Sequence, residues 1–232
     1  MLQLQRQNDI MRLMKEKREL TVKELCAALY CSPATIRRDL AELEDRGLVR
    51  RSFGGAVLNE SFFDQQPLSV RGSRNISEKQ RICAKAAGLI HGGETIFLDA
   101  SSTTYFLAPY LKDIPDLTVI TNNPNLNVVL SQMKVNNYCT GGQMLTRSVA
   151  LLGSEAEHFV EGIRADAFFF SARGMDDGFI YDSSKEERDL KIAMHKRAES
   201  SYFLCDTSKM GSKHPYIICD IGSVEKIISE NE

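Results

Sequence analysis

The 232-residue sequence has no long apolar run, and this absence limits where the protein can act. No stretch approaches the roughly 18 apolar residues that a membrane-spanning helix requires. The amino-terminal residues have the pattern of a polar amphipathic helix and lack the apolar segment of a secretory signal. We therefore expect a soluble, cytoplasmic protein with no membrane partner.

Paired cysteines and clustered histidines are also missing. The six cysteines occur singly among apolar neighbours, and no two have the two-residue spacing typical of a zinc site or a redox motif. The four histidines are equally scattered. We interpret the cysteines as reduced core residues, and we expect neither a metal ion nor a cofactor.

Strong net charge is absent as well, but the charges are unevenly distributed. Residues 1–57 contain 11 Lys and Arg against 8 Asp and Glu, whereas the rest of the chain contains 18 against 23. This bias is mild, and many domains without a nucleic-acid partner show as much. It favours a nucleic-acid contact at the amino-terminal end over one elsewhere.

Residues 32–40 have the features of a short amphipathic helix with a basic outer face. Ser32 is a favourable N-cap, and the proline after it suits the first helical position, which needs no N–H. Apolar residues at helical spacing would face inward, which turns Thr35, Arg37 and Arg38 outward. Such a helix fits the DNA major groove, where arginine can bind guanine. An ordinary solvated surface helix is the alternative.

The preceding segment predicts a helix-turn-helix. An apolar stripe marks a first helix, and a capping box at residues 21–24 begins a second. Only Tyr30 and Cys31 separate the second helix from Ser32. This spacing is typical of the helix-turn-helix motif.

A short β-hairpin after the third helix would form a wing. Gly47 is placed to end the helix, and the pattern predicts strands at residues 48–51 and 56–58 around a glycine-rich turn. Arg50 and Arg51 on the first strand would reach phosphate while the helix reads bases.

Beyond the wing, the sequence predicts an α/β fold. Residues 59–75 lack a sustained period, and we interpret them as a linker that partly docks through its aromatic residues. Apolar runs then alternate with helical segments, which is typical of a mostly parallel sheet covered on both faces. The predicted strands are residues 95–98, 117–120, 167–170 and 202–205, with weaker runs at 137–139 and 216–219. The predicted helices are residues 77–91, 104–111, 125–133, 154–163 and 185–199.

The turn after the first of these strands is rich in hydroxyl groups. Asp99 precedes Ser101, Ser102, Thr103 and Thr104, which gather at the start of a predicted helix. Free backbone N–H groups and the helix dipole favour an anion at such a position, and hydroxyl groups add donors. We predict a phosphate site here, with simple helix capping as the alternative.

Other strand ends carry polar or glycine-rich turns that could share one cleft, because ligands collect at the carboxyl ends of strands in open α/β sheets. Two charged pairs add to the candidate site, Glu187 with Lys191 and Asp206 with Lys209. The alternative for the first pair is an ordinary surface ion pair, since its members are four residues apart on a helix. The turns contain Thr121, Asn122, Gly141, Gly142 and Gly174.

The motifs described so far resemble those of the DeoR family of transcription regulators. In the first half, the resemblance rests on the run Thr-Ile-Arg-Arg-Asp-Leu at residues 35–40, followed by Leu43, Gly47, Leu48, Arg51 and the Gly-Gly-Ala at residues 54–56. It extends over nearly the whole chain, because residues 96–104 are similar to the family's phosphate loop. Phe53 stands where the family usually has histidine, and Ser101 replaces a usual glycine.

The resemblance implies a winged helix-turn-helix domain at residues 1–58, a linker at residues 59–75 and a Rossmann-like, mostly parallel α/β sensor domain at residues 76–232. The sensor domain would resemble ribose-5-phosphate isomerase, bind a phosphorylated sugar and form a homodimer or a larger homo-oligomer. The residues expected to contact double-stranded operator DNA are Ser32, Thr35, Arg37, Arg38, Arg50, Arg51, Gly54 and Gly55. Those expected to bind the effector are Asp99, Ser101, Ser102, Thr103, Thr104, Thr121, Asn122, Gly141, Gly142, Gly174, Glu187, Lys191, Asp206 and Lys209.

Three functions are consistent with these features. The first is a transcription regulator that is not an enzyme, expected to be a repressor of a carbohydrate-utilisation operon whose DNA binding responds to a sugar phosphate. The second is a sugar-phosphate isomerase fused to a DNA-binding module, for which no spacing singles out a catalytic acid and base. The third is a DNA-binding oligomer without an effector, against which the hydroxyl-rich turn argues.

Overall fold

Residues 3–17, 19–45, 48–58 and 68–231 are described by the structure, a computed structural model of the chain, without the side chains at positions 4, 15, 16 and 69. The chain divides into two units, residues 1–65 and residues 66–232. The predicted helix end at Gly47 and the first part of the predicted linker, residues 59–67, lie outside the described residues.

The first unit consists of three helices and a three-stranded antiparallel sheet with strand order β1-β3-β2. The predicted winged helix-turn-helix is confirmed. Strand β1 was not predicted, because three residues with a single buried side chain give no recognisable pattern. The elements are α1 (Gln3–Lys17), β1 (Glu19–Thr21), α2 (Val22–Leu29), α3 (Pro33–Asp45), β2 (Val49–Ser52) and β3 (Gly55–Leu58).

Local sequence explains how the second and third helices meet. The Thr21 hydroxyl accepts a hydrogen bond from the Glu24 backbone N–H (3.2 Å), and the Glu24 carboxylate accepts one from the Thr21 N–H (2.8 Å), which completes the predicted capping box. Tyr30 then adopts a left-handed conformation (φ 52°) that ends α2. The apolar faces of the three helices pack into one core that includes Ile10, Met14, Leu25, Ile36, Leu40 and Leu43.

The second unit is an α/β fold whose elements mostly follow the predicted order. Its strands are β4 (Thr95–Leu98), β5 (Thr118–Thr121), β6 (Asn136–Cys139), β7 (Gln143–Leu145), β8 (Ala150–Leu152), β9 (Ala165–Phe170), β10 (Gly174–Asp176), β11 (Phe179–Asp182), β12 (Ala198–Leu204), β13 (Tyr216–Asp220) and β14 (Lys226–Ile228). Its helices are α4 (Leu68–Gly72), α5 (Ile76–Ala87), α6 (Ala108–Leu111), α7 (Pro124–Gln132), α8 (Ser154–Glu161) and α9 (Lys185–Arg197).

Six of these strands form a parallel sheet in the order β14-β12-β9-β4-β5-β6. Successive side chains of a strand face opposite sides, and here both sides are apolar. Ile96 and Leu98 belong to the core on one face, whereas Phe97 belongs to the core on the other. Phe168 and Phe170 likewise lie opposite Phe169. The prediction of a sheet covered on both faces is confirmed.

Three predicted elements differ in detail. The run at residues 216–219 does not join the parallel sheet; it pairs with β11 in a separate antiparallel sheet, β10-β11-β13, because no helix returns the chain across the main sheet before it. The predicted helix at residues 104–111 is a 3-10 turn (Thr104–Leu107) followed by the short α6. Residues of the predicted linker form α4, where the buried Leu68 donates its N–H to the Arg147 carbonyl (2.9 Å).

Among the described residues, no helix has the length and apolar character needed to cross a membrane.

Candidate functional site

Helix α3, which we call the recognition helix, presents two arginines that make no ion pair with the described residues. Ser32 caps α3, because its hydroxyl accepts the Thr35 N–H (3.2 Å) and lies 2.9 Å from the Thr35 hydroxyl. Arg37 and Arg38 are exposed, and neither makes an ion pair with any residue that the structure describes. The predicted orientation of this helix is therefore observed. The hydroxyl groups of Ser32 and Thr35 are hydrogen-bonded to each other, which leaves fewer donors and acceptors for DNA.

A buried ion pair fixes the recognition helix against the first helix. The Arg6 guanidinium donates two hydrogen bonds to the Asp39 carboxylate, at 2.5 and 3.0 Å, and Asp39 is fully buried. Such a two-point contact constrains orientation as well as distance. Sequence reasoning missed this pair because its members are 33 residues apart; a charged residue inside the apolar stripe of α3 was the available signal.

The wing is held rigidly at its tip. Strands β2 and β3 pair up to Ser52 and Gly55, which leaves a two-residue tip of Phe53 and Gly54. Gly54 has φ +88°, and its carbonyl accepts the Val22 N–H (2.8 Å). A Cβ on Gly55 would lie 2.4 Å from the Leu20 carbonyl oxygen. The two glycines thus shape the wing, whereas the Phe53 side chain is fully exposed.

The two wing arginines differ in their surroundings. Arg50 is exposed and makes no ion pair with the described residues. The Arg51 backbone N–H donates to the Glu44 carboxylate (2.8 Å), and the Arg51 guanidinium lies 3.8 Å from it. Glu44 lies on α3, so this contact also sets the angle between wing and recognition helix.

In the second unit, some hydroxyl groups of the turn after β4 already form hydrogen bonds with other groups of the same turn. The Thr104 hydroxyl donates to the Asp99 carbonyl (2.7 Å), and the Ser101 hydroxyl accepts the Thr104 N–H (3.1 Å). These hydrogen bonds lie within the turn, and Thr103 at the N-cap position of the next element makes no side-chain capping hydrogen bond. The element that follows is a four-residue 3-10 turn, so the expected helix-dipole contribution is small. Ser102 and Thr103 remain as the hydroxyl groups not used in this way.

A lysine supplies the positive charge beside this turn. Lys209 Nζ lies 2.6 Å from Ser171 Oγ, 3.4 Å from Thr103 Oγ1 and 3.3 Å from the Asp206 carboxylate. Ser171, Thr103 and Lys209 follow β9, β4 and β12, three adjacent strands of the sheet. Burial opposes ionisation of Asp206, but Lys209 and Ser208 outweigh it and lower the pKa of that carboxyl. Ser171 was not predicted.

A second lysine, Lys79, lies in the same region and, unlike Lys209, was not predicted. Lys79 on α5 is buried, and its ammonium donates to the backbone carbonyls of Arg71 and Arg74 (2.8 Å for Arg74). Burial and the positive charge of Lys209 lower the pKa of Lys79 to about 8. The available signal was its position, since residue 79 shares a helical face with the buried Ile82, Cys83 and Ala86.

Glu187 and Lys191 belong to a buried cluster and not to a surface pair. Lys191 Nζ contacts the Asp182 carboxylate and lies 3.4 Å from Asp99 and 3.9 Å from Glu187. Burial disfavours the ammonium, yet Asp182 and Asp99 outweigh this and raise the pKa of Lys191. Asp182 was not predicted, because it ends a short strand of the separate antiparallel sheet.

The pKa values of the two aspartates around Lys191 are shifted in opposite directions. Burial raises the pKa of Asp99, although Lys191 and the neighbouring Ser101 and Thr104 oppose it. Neither Asp99 carboxylate oxygen accepts a well-aligned hydrogen bond from the described residues. For Asp182, burial is outweighed by Lys191 and Arg173, which lower its pKa. Asn122 lines the same small cavity as Asp99, Glu187 and Lys191, and its Oδ1 also lacks a partner within the described chain.

The remaining predicted residues support the backbone. The Thr121 hydroxyl accepts the Asn123 N–H (3.1 Å). Gly142 has φ +101°, and a Cβ there would lie 2.5 Å from the Leu152 carbonyl oxygen, while Gly141 before it has φ +72°. A Cβ on Gly174 would lie 2.1 Å from the Ser212 carbonyl oxygen. These positions allow close packing of loops and place no side chain at the lysines.

A larger cavity has Ser102 among its lining residues. Its volume is about 740 Å³, and its lining is mainly apolar, with Tyr105, Phe106 and Val129 among the lining residues and Arg147 at its polar part. It includes neither Lys209 nor Lys191.

Comparison with known families assigns both halves of the chain. Residues 6–62 match the model of the DeoR-like helix-turn-helix domain, and residues 74–231 match that of the DeoR C terminal sensor domain. The HTH-type transcriptional regulator GolR of Listeria innocua is 36% identical, with 100% of this chain and 92% of that protein covered. The L-fucose operon activator of Haemophilus influenzae is 31% identical, with 95% and 89% covered. The lactose phosphotransferase system repressor of Staphylococcus epidermidis is 30% identical, with 97% and 91% covered.

Among solved structures, eIF2B delta of Chaetomium thermophilum matches 71% of this chain and 59% of its own with a TM-score of 0.53 and 14% identity. At this identity the likeness shows the fold alone.

Proposed function

Because the chain belongs to the DeoR family of transcription regulators, we propose that its binding to an operator is modulated by a phosphorylated sugar held in the second unit. The first unit supplies the DNA-reading surface: α3 carries Arg37 and Arg38, and the wing carries Arg50 and Arg51. The family's DNA-binding domain covers these residues. Relatives named for the fucose and lactose systems support a carbohydrate operon as the target.

One observation carries the ligand proposal: Lys209 Nζ lies within hydrogen-bond distance of Ser171 Oγ and Thr103 Oγ1. An ammonium with hydroxyl groups around it at the carboxyl end of a parallel sheet suits a phosphate, which accepts several charge-assisted hydrogen bonds. A bound phosphate would accept the Lys209 N–H groups that now donate to the neutral hydroxyl oxygens of Thr103 and Ser171. The partly charged Lys79 adds attraction in the same region.

The cluster around Lys191 would bind the sugar part. Asp99 lies in the same turn as Thr103, but the cavity beside Asp99 has a volume of only about 10 Å³. A ligand whose phosphate contacts Thr103 would therefore have to widen this cavity to place its hydroxyl groups at Asp99. The Asp99 carboxylate and Asn122 Oδ1 have acceptor capacity that the described residues do not use. Sugar hydroxyl groups are donors that match these acceptors.

The ligand's effect would reach the DNA-reading unit through the segment at residues 71–75. Lys79 holds this segment through the Arg71 and Arg74 carbonyls, and the Asn75 amide donates to Asp206 (3.2 Å). A phosphate that competes for Lys79 would loosen this segment, which leads back along the chain to the wing. The ligand shifts the equilibrium only if it binds one arrangement more tightly than the other.

The proposal is tested by a thermal-shift screen of sugar phosphates, each paired with its unphosphorylated sugar. At about 100 times the Kd, a ligand stabilises the folded state by roughly 2.7 kcal/mol. Hits are then added to the protein bound to DNA selected from a random pool. We expect Lys209→Met to lose the ligand response and keep DNA binding, and Lys112→Met, an exposed lysine on the same unit, to keep both. A full response in Lys209→Met would refute the assigned site.

An isomerase remains the second candidate, because Asp99 and Asp182 lie beside one lysine with pKa values shifted in opposite directions. Such divergence is typical of acid and base pairs. We nevertheless propose that the domain senses without turnover, since its relatives are regulators and Lys191 is fully occupied by carboxylates. Conversion of an aldose phosphate to a ketose phosphate by the purified protein would overturn this.

A homo-oligomer is also proposed, since paired winged helices would match two operator half-sites. Sedimentation of the protein with and without selected DNA measures its size.

A further inference from the structure

Phe53 is the most exposed large apolar side chain of the described residues, with a relative exposure of 112%. It occupies the first position of the two-residue wing tip, next to Gly54. A single exposed apolar residue on a protein surface is ordinary. Phe53 is different because no part of the described chain packs against its ring and because it stands at the end of a projecting hairpin.

The wing holds this ring in a defined place. The Gly54 carbonyl is bonded to the Val22 N–H, Gly55 packs against the Leu20 backbone, and the Arg51 N–H is bonded to Glu44 of the recognition helix. The tip therefore cannot fold back over its own core without breaking these contacts. A rigid, pre-positioned aromatic loses little entropy when a partner covers it.

The charges around the tip identify the class of partner. Arg50 on the same hairpin and Arg37 and Arg38 on α3 are exposed and unpaired within the described residues. Phosphates complement this surface, and the position of the tip selects the groove. When a helix occupies the major groove, a neighbouring projection reaches the adjacent minor groove, and apolar side chains that enter that groove act as wedges between base steps.

We propose that Phe53 inserts into the operator's minor groove beside the major groove entered by α3, and that it makes the protein select A·T pairs there. This rests on the proposed DNA-binding function. The selectivity follows from base chemistry: guanine carries an amino group in the minor groove, which would obstruct the ring, whereas A·T pairs present only acceptors. The major-groove contacts of α3 specify the rest of the site.

Three versions of one binding site test this inference. The site is selected from a random pool with the wild-type protein, and its flank under the wing is then made with A·T, G·C or inosine·C pairs. Inosine·C keeps the major-groove groups of G·C but lacks the minor-groove amino group. For the wild type we expect G·C to weaken binding severalfold and inosine·C to restore it.

Phe53→Ala should bind the A·T site about 5- to 150-fold more weakly, the range for losing one aromatic base contact, and should not distinguish the three flanks. Tyr138→Ala, which removes a half-exposed aromatic from the second unit, should behave as wild type. Thymines in the A·T flank should become more reactive to permanganate, which oxidises unstacked thymine, when wild type binds, and should stay unreactive with Phe53→Ala.

The outcomes separate this inference from the function on which it rests. If the wild type selects no DNA, the proposed function fails. If the wild type selects DNA but Phe53→Ala keeps its affinity and its flank preference, only the inference fails. If Phe53→Ala changes the sedimentation of the free protein and leaves DNA binding intact, the ring contacts protein and the inference is overturned.

Discussion

Arg6 and Asp39 join the first helix to the DNA-reading helix through two hydrogen bonds that converge on a fully buried carboxylate. The pair lies on the face of α3 opposite its exposed arginines. The orientation of the exposed arginines of α3 therefore depends on a buried contact on the other face of the helix.

The first prediction concerns this pair. Arg6→Met leaves the Asp39 carboxylate buried without a counter-ion, and we expect the first unit to lose about 3–5 kcal/mol of stability. Amide hydrogen exchange in α1 and α3 measures the loss. Arg12→Met is the control, since Arg12 pairs with Asp9 at the surface and should cost less than about 1 kcal/mol. Equal exchange in the two variants would contradict the prediction.

A second prediction concerns pH and Lys79. The pKa of Lys79 is lowered to about 8 in the folded protein, below that of an unfolded chain, so its charge is present below pH 8 and is lost as the pH rises through 8. A sugar phosphate is a dianion throughout this range. We expect its affinity, measured by calorimetry, to fall between pH 7 and pH 9. Lys79→Met should bind more weakly at pH 7 and show a flatter profile; a wild-type slope in this variant would exclude Lys79.

The same pKa shift has a consequence for stability. Between pH 8 and about 10.5 the unfolded chain binds more protons at Lys79 than the folded chain does. The contribution of Lys79 therefore raises the free energy of unfolding as the pH rises, which stabilises the folded protein. Urea unfolding of wild type and of Lys79→Met across this pH range measures the contribution of Lys79 to the free energy of unfolding. The free energy of unfolding of the wild type minus that of the variant should rise with pH, and a value that falls or stays constant would contradict the assigned direction.

A third prediction addresses the buried cluster. Asp182→Asn removes the carboxylate that contacts Lys191 most closely and leaves Asp99 at 3.4 Å and Glu187 at 3.9 Å. We expect a loss of about 3 kcal/mol, at the lower end for breaking a buried pair because other carboxylates remain. Lys185→Met, which removes an exposed pair on the same helix, should leave the unfolding midpoint almost unchanged because such surface pairs contribute little. Urea unfolding compares them, and equal midpoints would argue against a buried charge cluster.

A fourth prediction tests the close approach at the wing. In Gly55→Ala the new methyl group would meet the Leu20 carbonyl oxygen at 2.4 Å, so β3 must move away from β1. We expect DNA binding to fall at least tenfold, while the second unit keeps its ligand-induced thermal shift. Gly72→Ala is the control, because nothing lies within 4 Å of a Cβ there. Normal DNA binding by Gly55→Ala would show that the wing tolerates displacement.

Local patterns account for what the sequence could predict. The capping box at Thr21, the cap at Ser32 and the apolar stripe of α3 depend on residues a few positions apart, and the structure has all three. The parallel strands were recognisable because both faces are buried and the runs are continuously apolar. These features define the fold and the position of the turns.

Long-range pairing accounts for what was missed. Asp182 joins Lys191 through an antiparallel sheet whose short strands have no strong period, and Ser171 gains its role only beside Lys209, 38 residues away. Lys79 was visible as a charge on an apolar helical face, but its carbonyl partners lie in a segment predicted to be a linker. The hydrogen bonds that Ser101 and Thr104 make within the turn accompany a 3-10 turn where a regular helix was predicted.

The turn at residues 99–104 carries an acceptor at its first position and a hydroxyl donor four positions later, and each has its own lysine. In the proposed complex, both ends of the ligand would contact one short piece of backbone that is held by its own hydrogen bonds. Carbohydrates that carry the phosphate on a different carbon would contact one end and miss the other, so the proposed site would select for the distance between the phosphate and the hydroxyl groups.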